Sequence, residues 1–232
     1  MNSLKKEARL AGLFYLLVVI TGVIGIMVIS PQIIVKGDAV ATSQNILAKE
    51  FLFRIGIIND LISNTVFILL VLALYRLLKQ VNKNQAKLMV ALVIVQIPVV
   101  FIMDALNITS LMILKGELLQ TFGLAQRQDL AMLFLQINDY GTLALEMFWG
   151  LWLLPFGLLV YKSRFIPRIF GIFLLIAGIA YMNSSLVSLL FPDYSGIVNL
   201  PTLLLVFIGE ISITVWLLFK GVKNNISTTE KL

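Results

Sequence analysis

Six apolar runs organise the chain, at 10–29, 55–78, 88–114, 138–161, 168–191 and 200–219, with charged or turn-forming residues between them. Each is long enough to cross a bilayer, which takes roughly 20 apolar residues in a helix. Lipid cannot satisfy a backbone N–H or C=O, so runs of this length are expected as helices. The strands of a membrane barrel would be about half as long and would alternate in polarity. The expected fold is all-α: a polytopic membrane protein with six transmembrane helices in one bundle, and a single domain spanning residues 1–232. The first run follows Lys5, Lys6 and Arg9, as the apolar part of a signal peptide would. It is longer than the roughly 7–15 residues of such a segment and no small-residue cleavage site follows, so a retained helix is expected.

Polar connections add detail. Asp38 is placed to N-cap a helix from Ala39 to Glu50 whose partly apolar face is Val40, Ile46 and Leu47. Gly116 to Arg127 carries Leu118, Leu119, Phe122 and Leu124, enough for a second interfacial helix. Both segments could lie on the bilayer surface or cover a pocket. Pro98 and Pro155 are expected to kink the third and fourth helices, and Gly171 and Gly178 to let helices approach closely. The tail at 224–232 is short and polar and is expected to lack structure. A weak repeat links the helices: Arg9 and Gly12 open the first as Arg168 and Gly171 open the fifth. Glu146 and Glu210 each precede a Trp-Leu-Leu, at Trp152 and Trp216, and the pattern suggests related helical hairpins.

Charge sets an orientation. Of the 18 Lys and Arg, thirteen fall in the N-terminal segment, the second and fourth connections and the tail, against five in the other connections. The positive-inside rule then puts both termini in the cytoplasm. The net charge of +6 is thereby explained by topology and anionic lipid, and no nucleic-acid-binding patch is indicated. The expected partners are the bilayer and a small polar ligand, cation or lipid, and a homo-oligomer would suit transport by so small a chain.

Composition narrows the chemistry further. Hydrophobic residues make up 59% and charged residues 13%, with no Cys and no His. Disulfides, thiol chemistry, His-based triads and imidazole metal sites are therefore excluded, and no cofactor is expected. Oxygen donors remain, so hard cations and protons stay open.

Five carboxyls interrupt the apolar runs: Asp60, Asp104, Asp139, Glu146 and Glu210. An ionisable side chain is costly in hydrocarbon and marks an interior or a watery cavity. Amides and hydroxyls share their helical faces at three-and-four spacing: Ser63 and Asn64 with Asp60, Gln96 and Asn107 with Asp104, Gln136 with Asp139, and Thr214 with Glu210. Under the orientation above, Asp60, Asn64, Asp104, Asn107, Asp139, Asn183 and Ser184 lie in the outer half. Glu146 and Glu210 come near the midplane. The picture is a polar cavity open outward and closed below by Trp149, Trp152 and Trp216. Arg54 is the only basic residue near the cluster, so five carboxyls cannot all be ionised and paired. Some must be protonated or hold a cation. The candidate ligand-binding residues are Arg54, Asp60, Asn64, Asp104, Asn107, Asp139, Glu146, Asn183 and Glu210, with no catalytic residue assigned and no metal site. The same acids could instead join helices as protonated glue, or form an acid–base pair acting on a lipid. The Asn-x-Ser/Thr patterns at Asn107 and Asn183 lie within the apolar runs, where glycosylation is not expected.

One family shares several of these segments. Gly37-Asp38-Ala39, Phe53-Arg54-Ile55-Gly56 and Asp60-Leu61 resemble its first outer loop and second helix. Leu74-Tyr75-Arg76-Leu77-Leu78 resembles its first cytoplasmic turn. The stretch from Phe148-Trp149-Gly150 through Trp152-Leu153-Leu154-Pro155 to Ile166-Pro167-Arg168-Ile169-Phe170-Gly171 is the most specific. The chain resembles, over nearly its whole length, the bacterial membrane family catalogued as domain of unknown function 4386. The resemblance implies a single-domain, multi-pass protein of the bacterial plasma (inner) membrane and carries no activity. Several members of that family place His before the second helix. Here that region reads Ala48-Lys49-Glu50, so no His chemistry comes with the resemblance. Binding or transport of a small polar or cationic ligand, or of a lipid headgroup, is the leading expectation. A lipid-acting enzyme using a carboxyl pair and an accessory or sensing subunit are the alternatives.

Overall fold

A computed structural model describes residues 2–222; the polar tail at 224–232 lies outside the described residues. The described residues are all-α, without a strand. In chain order the helices are α1 (Asn2–Val23), a π-helical segment (Ile24–Ile29), α2 (Ser30–Ile33), α3 (Ala39–Ala48), α4 (Glu50–Leu78), α5 (Lys83–Ile94), α6 (Ile97–Lys115), α7 (Leu124–Lys162), α8 (Arg168–Leu190), a 3-10 turn (Pro192–Tyr194) and α9 (Ser195–Phe219). Six stretches are long and apolar enough to cross a membrane: Ser3–Ile33, Glu50–Leu78, Lys83–Lys115, Leu124–Lys162, Arg168–Leu190 and Pro192–Phe219. Each contains the core of one expected run. Many large apolar side chains stay exposed along them, among them Ile26, Ile102, Ile179, Leu204 and Phe219. In water such patches would be a liability, and against lipid tails they are the natural outer surface.

Two boundaries depart from the pattern of hydrophobicity. No helix covers Gly116 to Gly123; Gly116 ends α6 in a left-handed conformation at φ 75° and turns follow. The fourth spanning helix then begins at Leu124, well before 138, and has 39 residues. At 1.5 Å per residue it is about 58 Å long, well beyond a hydrocarbon core of roughly 30 Å. Gln126, Arg127, Gln128 and Asp129 break the apolar run without breaking the helix, because polar residues with good helix propensity are welcome outside the hydrocarbon. At Pro98 the third spanning stretch is interrupted between α5 and α6, since proline has no N–H to donate and clashes with the preceding turn. Pro155, by contrast, sits inside a continuous α7.

The chain divides into two compact units; three of the four boundaries fall inside helices and the fourth lies between α5 and α6. The first comprises the described residues up to Leu16, Phe67–Val95, and those from Leu143 onward. Its helices meet at small residues. A β-carbon on Gly157 would lie 2.9 Å from the Gly171 carbonyl oxygen, and one on Gly178 would lie 2.9 Å from that of Gly150. Glycines seven apart on α7 thus face glycines seven apart on α8, running antiparallel. Lipid offers no hydrophobic force between helices, so close van der Waals approach of this kind is what holds them. α1 does likewise: Ala8, Ala11 and Tyr15 are fully buried on one face, and a β-carbon on Gly12 would lie 2.6 Å from the Leu218 nitrogen of α9. The Arg-x-x-Gly matches at Gly12 and Gly171 therefore both mark helix contacts. The three expected floor tryptophans pack in separate places. Trp152 stacks on Phe156 at 5.4 Å and meets Phe67 edge-on at 5.2 Å, Trp149 meets Tyr181 edge-on at 5.7 Å, and Trp216 lies 5.3 Å from Phe170.

The second unit holds Leu17–Val66 and Gln96–Thr142. Its core gathers Ile29, Ile33, Ile46, Phe53, Ile57, Leu111, Ile113, Leu114, Ala131 and Leu135. Asp38 caps α3 as expected, accepting a hydrogen bond from the Ala41 N–H at 2.8 Å. The helix ends at Ala48, and its docked face is Thr42, Ser43 and Ile46, while Val40 and Leu47 are exposed. The Thr42 hydroxyl bonds the Val35 backbone at both N and O, at 3.0 and 3.1 Å, which pins α3 to the chain before it.

Candidate functional site

In the second unit the polar stripes of α4 and α6 turn inward. Gln96, Asp104 and Leu111 are buried along one face of the Lys83–Lys115 stretch, while Val95, Val99 and Ile102 are exposed on the other. Asp104 is only 3% exposed, and its Oδ2 has no hydrogen-bond partner among the described residues. Asp60 is near enough for the two carboxyls to act on each other electrostatically. Around Asp60 are groups from the first spanning helix and from α4 itself. Thr21 Oγ1 and Ser63 Oγ are hydrogen-bonded at 2.8 Å, and Asn59 Nδ2 donates to the Thr21 carbonyl at 3.0 Å. Asn59 Nδ2 also lies 3.4 Å from Asp60 Oδ1. The π-helical segment begins one turn after Thr21. Its Gly25 presents bare backbone to this group, since a β-carbon there would lie 3.3 Å from Asn59 Nδ2 and 3.6 Å from Asp60 Oδ1. A single π turn within an α-helix commonly marks a functional position, and this one supplies the irregular backbone beside two acids.

The other expected residues of this unit are placed differently. Arg54 is held by Glu50, which accepts from Nε at 2.8 Å and approaches the second guanidinium nitrogen at 2.7 Å. Glu50 also pairs with Lys115 at 3.3 Å, so the cation is engaged at the start of α4. Asn64 donates to the Asp60 carbonyl of its own helix at 2.9 Å. Asn107 Oδ1 accepts from Asn138 Nδ2 at 3.1 Å, joining α6 to α7. Asp139 is exposed, with Lys36 the charge that acts on it.

The first unit carries its own polar group. Glu210 on α9 is approached by the hydroxyl of Tyr15 on α1, and Tyr181 on α8 feels the charges of both Glu210 and Glu146. The charges of both members of the repeated Glu…Trp-Leu-Leu pattern thus act on one tyrosine. Ser184 sits between Glu146 and Asn199, donating to Asn199 Oδ1 at 3.3 Å, and Ser185 donates to the Leu143 carbonyl at 2.7 Å. Among the described residues, Tyr15 Oη, Glu146 Oε2 and Trp216 Nε1 are buried without a hydrogen-bond partner. Asn183, on the same helix, is exposed and takes no part.

Sequence reading did not single out Thr21, Gly25, Asn59 or Tyr15 as site residues. Asn59 carried a weak signal as the neighbour of Asp60; Tyr15 looked like one more aromatic residue of an apolar helix. Concave surface lies elsewhere in each unit. A depression of about 370 Å³ in the second is lined by Gly37, Ala39, Asp129, Met132, Leu133 and Gln136. One of about 470 Å³ in the first is lined by Arg164, Ile166, Pro167, Arg168 and Ile169. No group of three or more acidic side chains able to hold a metal occurs among the described residues. Two carboxyls with hydroxyl, amide and carbonyl oxygens form a hard-donor set of the kind that suits hard cations and protons.

A family model described as a domain of unknown function (DUF4386) matches residues 10–221, and the chain belongs to that family. No curated protein and no solved structure matches it.

Proposed function

We propose that this family member binds a small cation, an alkali ion or a primary ammonium, between Asp60 and Asp104 as a step in its uptake or transport. The observation that carries the reading is Asp104 Oδ2, a buried carboxyl oxygen with no hydrogen-bond partner among the described residues, with the Asp60 carboxyl within electrostatic reach. Two acids that act on each other inside a protein repel unless a proton or cation lies between them. Thr21, Ser63 and Asn59 add neutral donors and acceptors, and Gly25 leaves backbone free to approach. In this reading both termini are cytoplasmic, the site opens to the outer face of the plasma membrane, and Arg54 takes no part in coordination.

Thermal unfolding of the detergent-purified protein with sodium, potassium, methylammonium or ethanolamine tests the proposal. A ligand bound only by the folded state at 100 times its dissociation constant adds about 2.7 kcal/mol. One of these cations should raise the Tm, and Asp104→Asn should abolish that rise. No response to any of them, with Asp104→Asn and Asp60→Asn as stable as the wild type, would make the pair a structural contact.

A further inference from the structure

We propose that the turn between α7 and α8 is a binding site for the phosphate group of an anionic phospholipid, held by the guanidinium groups of Arg164 and Arg168. The site lies within the first unit and does not rest on the cation-binding reading of Asp60 and Asp104.

Both arginines line the depression of about 470 Å³ in that unit, together with Ile166, Pro167 and Ile169. Neither has a carboxylate: among the described residues the ion pairs are those of Glu50 and Lys115. Two cations on one concave surface repel each other unless an anion joins them. The guanidinium is a fork of donors that matches phosphate oxygens two at a time. Tyr161 places one of these forks, its ring centre lying 5.5 Å from Arg168 Cζ, and a contact through the ring face leaves N–H groups free to donate. Ser163 fixes the other. It is buried, its hydroxyl donating to the Val160 carbonyl at 2.8 Å and accepting from the Ile166 N–H at 3.3 Å. Phe165 and Ile166 are buried too, so Arg164 alone of residues 163–166 stays exposed, with its backbone at φ 60°. A left-handed residue other than glycine costs roughly 1–2 kcal/mol, and here the residue that takes that conformation carries a guanidinium into the depression.

The surroundings favour a lipid as the source of the phosphate. α8 starts at Arg168, with Pro167 at its N-cap and no side chain capping it. The first N–H groups of a helix lack partners within it and form its positive end, so α8 adds its field to the two charges. Ile169, Ile172, Ile176 and Ile179 follow at three-and-four spacing, and all four are exposed. They form one apolar stripe that leads from the depression along the outside of a helix long enough to cross a membrane. The arginines and Tyr161 therefore stand where hydrocarbon gives way to headgroups, the level at which basic and aromatic side chains gather. A free phosphate would satisfy the charges and leave the stripe unused, whereas a phospholipid brings a phosphate to the arginines and an acyl chain to the isoleucines. Under the orientation expected from the distribution of Lys and Arg, the lipid belongs to the inner leaflet.

Native mass spectrometry of the whole detergent-purified protein reads bound lipid directly, with dioleoyl phosphatidylglycerol, dioleoyl phosphatidylcholine and inorganic phosphate as the probes. Phosphatidylglycerol should bind more tightly than phosphatidylcholine, and Arg164→Gly should weaken it about tenfold, the factor one charge-assisted hydrogen bond supplies. Glycine suits a backbone at φ 60°, so that variant should keep the fold while losing the guanidinium. Arg168→Gln should weaken binding by a similar factor. Lys162, an exposed cation beside the turn but outside the lining of the depression, is the control, and Lys162→Gln should change binding by less than about twofold. Equal weakening by Lys162→Gln and Arg164→Gly would overturn the site in favour of general attraction between a basic surface and anionic lipid. Inorganic phosphate that displaces the lipid at equal concentration would overturn the assignment to a lipid and make the ligand a soluble anion. No preference for phosphatidylglycerol over phosphatidylcholine, or binding unchanged in both arginine variants, would overturn the proposal outright.

Discussion

Gly157 and Gly171 face each other so closely that a β-carbon on either would come within 2.9 or 2.7 Å of the other's carbonyl oxygen. The neighbouring Tyr161 nitrogen would be 2.7 Å from a β-carbon on Gly171. All of these are backbone atoms and cannot rotate aside. Gly171→Ala must push α8 away from α7 and should cost about 1–3 kcal/mol, the usual penalty of overpacking; Gly171→Leu should cost more. Gly196, which has open space around it, is the matched control, and Gly196→Ala should be near neutral. Thermal or denaturant unfolding in one detergent would compare them, and equal stability of the two alanine variants would mean that the close approach is not needed.

The cap on α3 supplies a local prediction. Asp38→Ala removes the acceptor for the Ala41 N–H and should cost about 1 kcal/mol. Because the Thr42 contacts to Val35 and the burial of Ile46 remain, the loss should be confined to this helix. Hydrogen exchange should speed up in Ala39–Ala48 and leave α8 and α9 unchanged. Uniform acceleration would show that α3 is needed for the whole fold.

Arg54 tests the division of labour near the start of α4. Its guanidinium belongs to Glu50 in a half-exposed pair, and such pairs contribute little. Arg54→Ala is expected to leave both the Tm and the cation response of the wild type unchanged. If it removed that response, Arg54 would belong with Asp60 and Asp104 and the assignment made here would need to change.

The absence of Cys makes orientation easy to measure. Gln120 lies in the turn between α6 and α7, and Asn84 at the start of α5, both exposed. In intact cells a membrane-impermeant thiol reagent should label Gln120→Cys and spare Asn84→Cys, as the distribution of Lys and Arg requires. The reverse pattern would invert the topology.

The outcome for each residue shows what kind of information lay in the chain. Length and apolarity determined six helices, because lipid leaves a backbone no other way to bond itself. The Asp38 cap was equally legible, because a cap is read from neighbours a few residues apart. The glycines at 171 and 178 were legible as contacts, though their partners at 150 and 157 were not. The start of α7 was hidden, because helix-forming polar residues outside the hydrocarbon look like a loop to any measure of hydrophobicity.

The site was legible as a list of costly acids and not as a set of partners. Sequence alone placed Asp60, Asp104, Glu146 and Glu210 inside spanning helices, since a carboxyl in hydrocarbon is expensive wherever its helix packs. Which of them stand together depends on contacts between residues far apart in the chain. Only tertiary structure could bring Thr21 and Gly25 to Asp60, turn Tyr15 toward Glu210, give Arg54 to Glu50 and leave Asp139 and Asn183 exposed. Local pattern carries the cost of burying a group; the neighbour that offsets the cost comes from another helix, and packing chooses it.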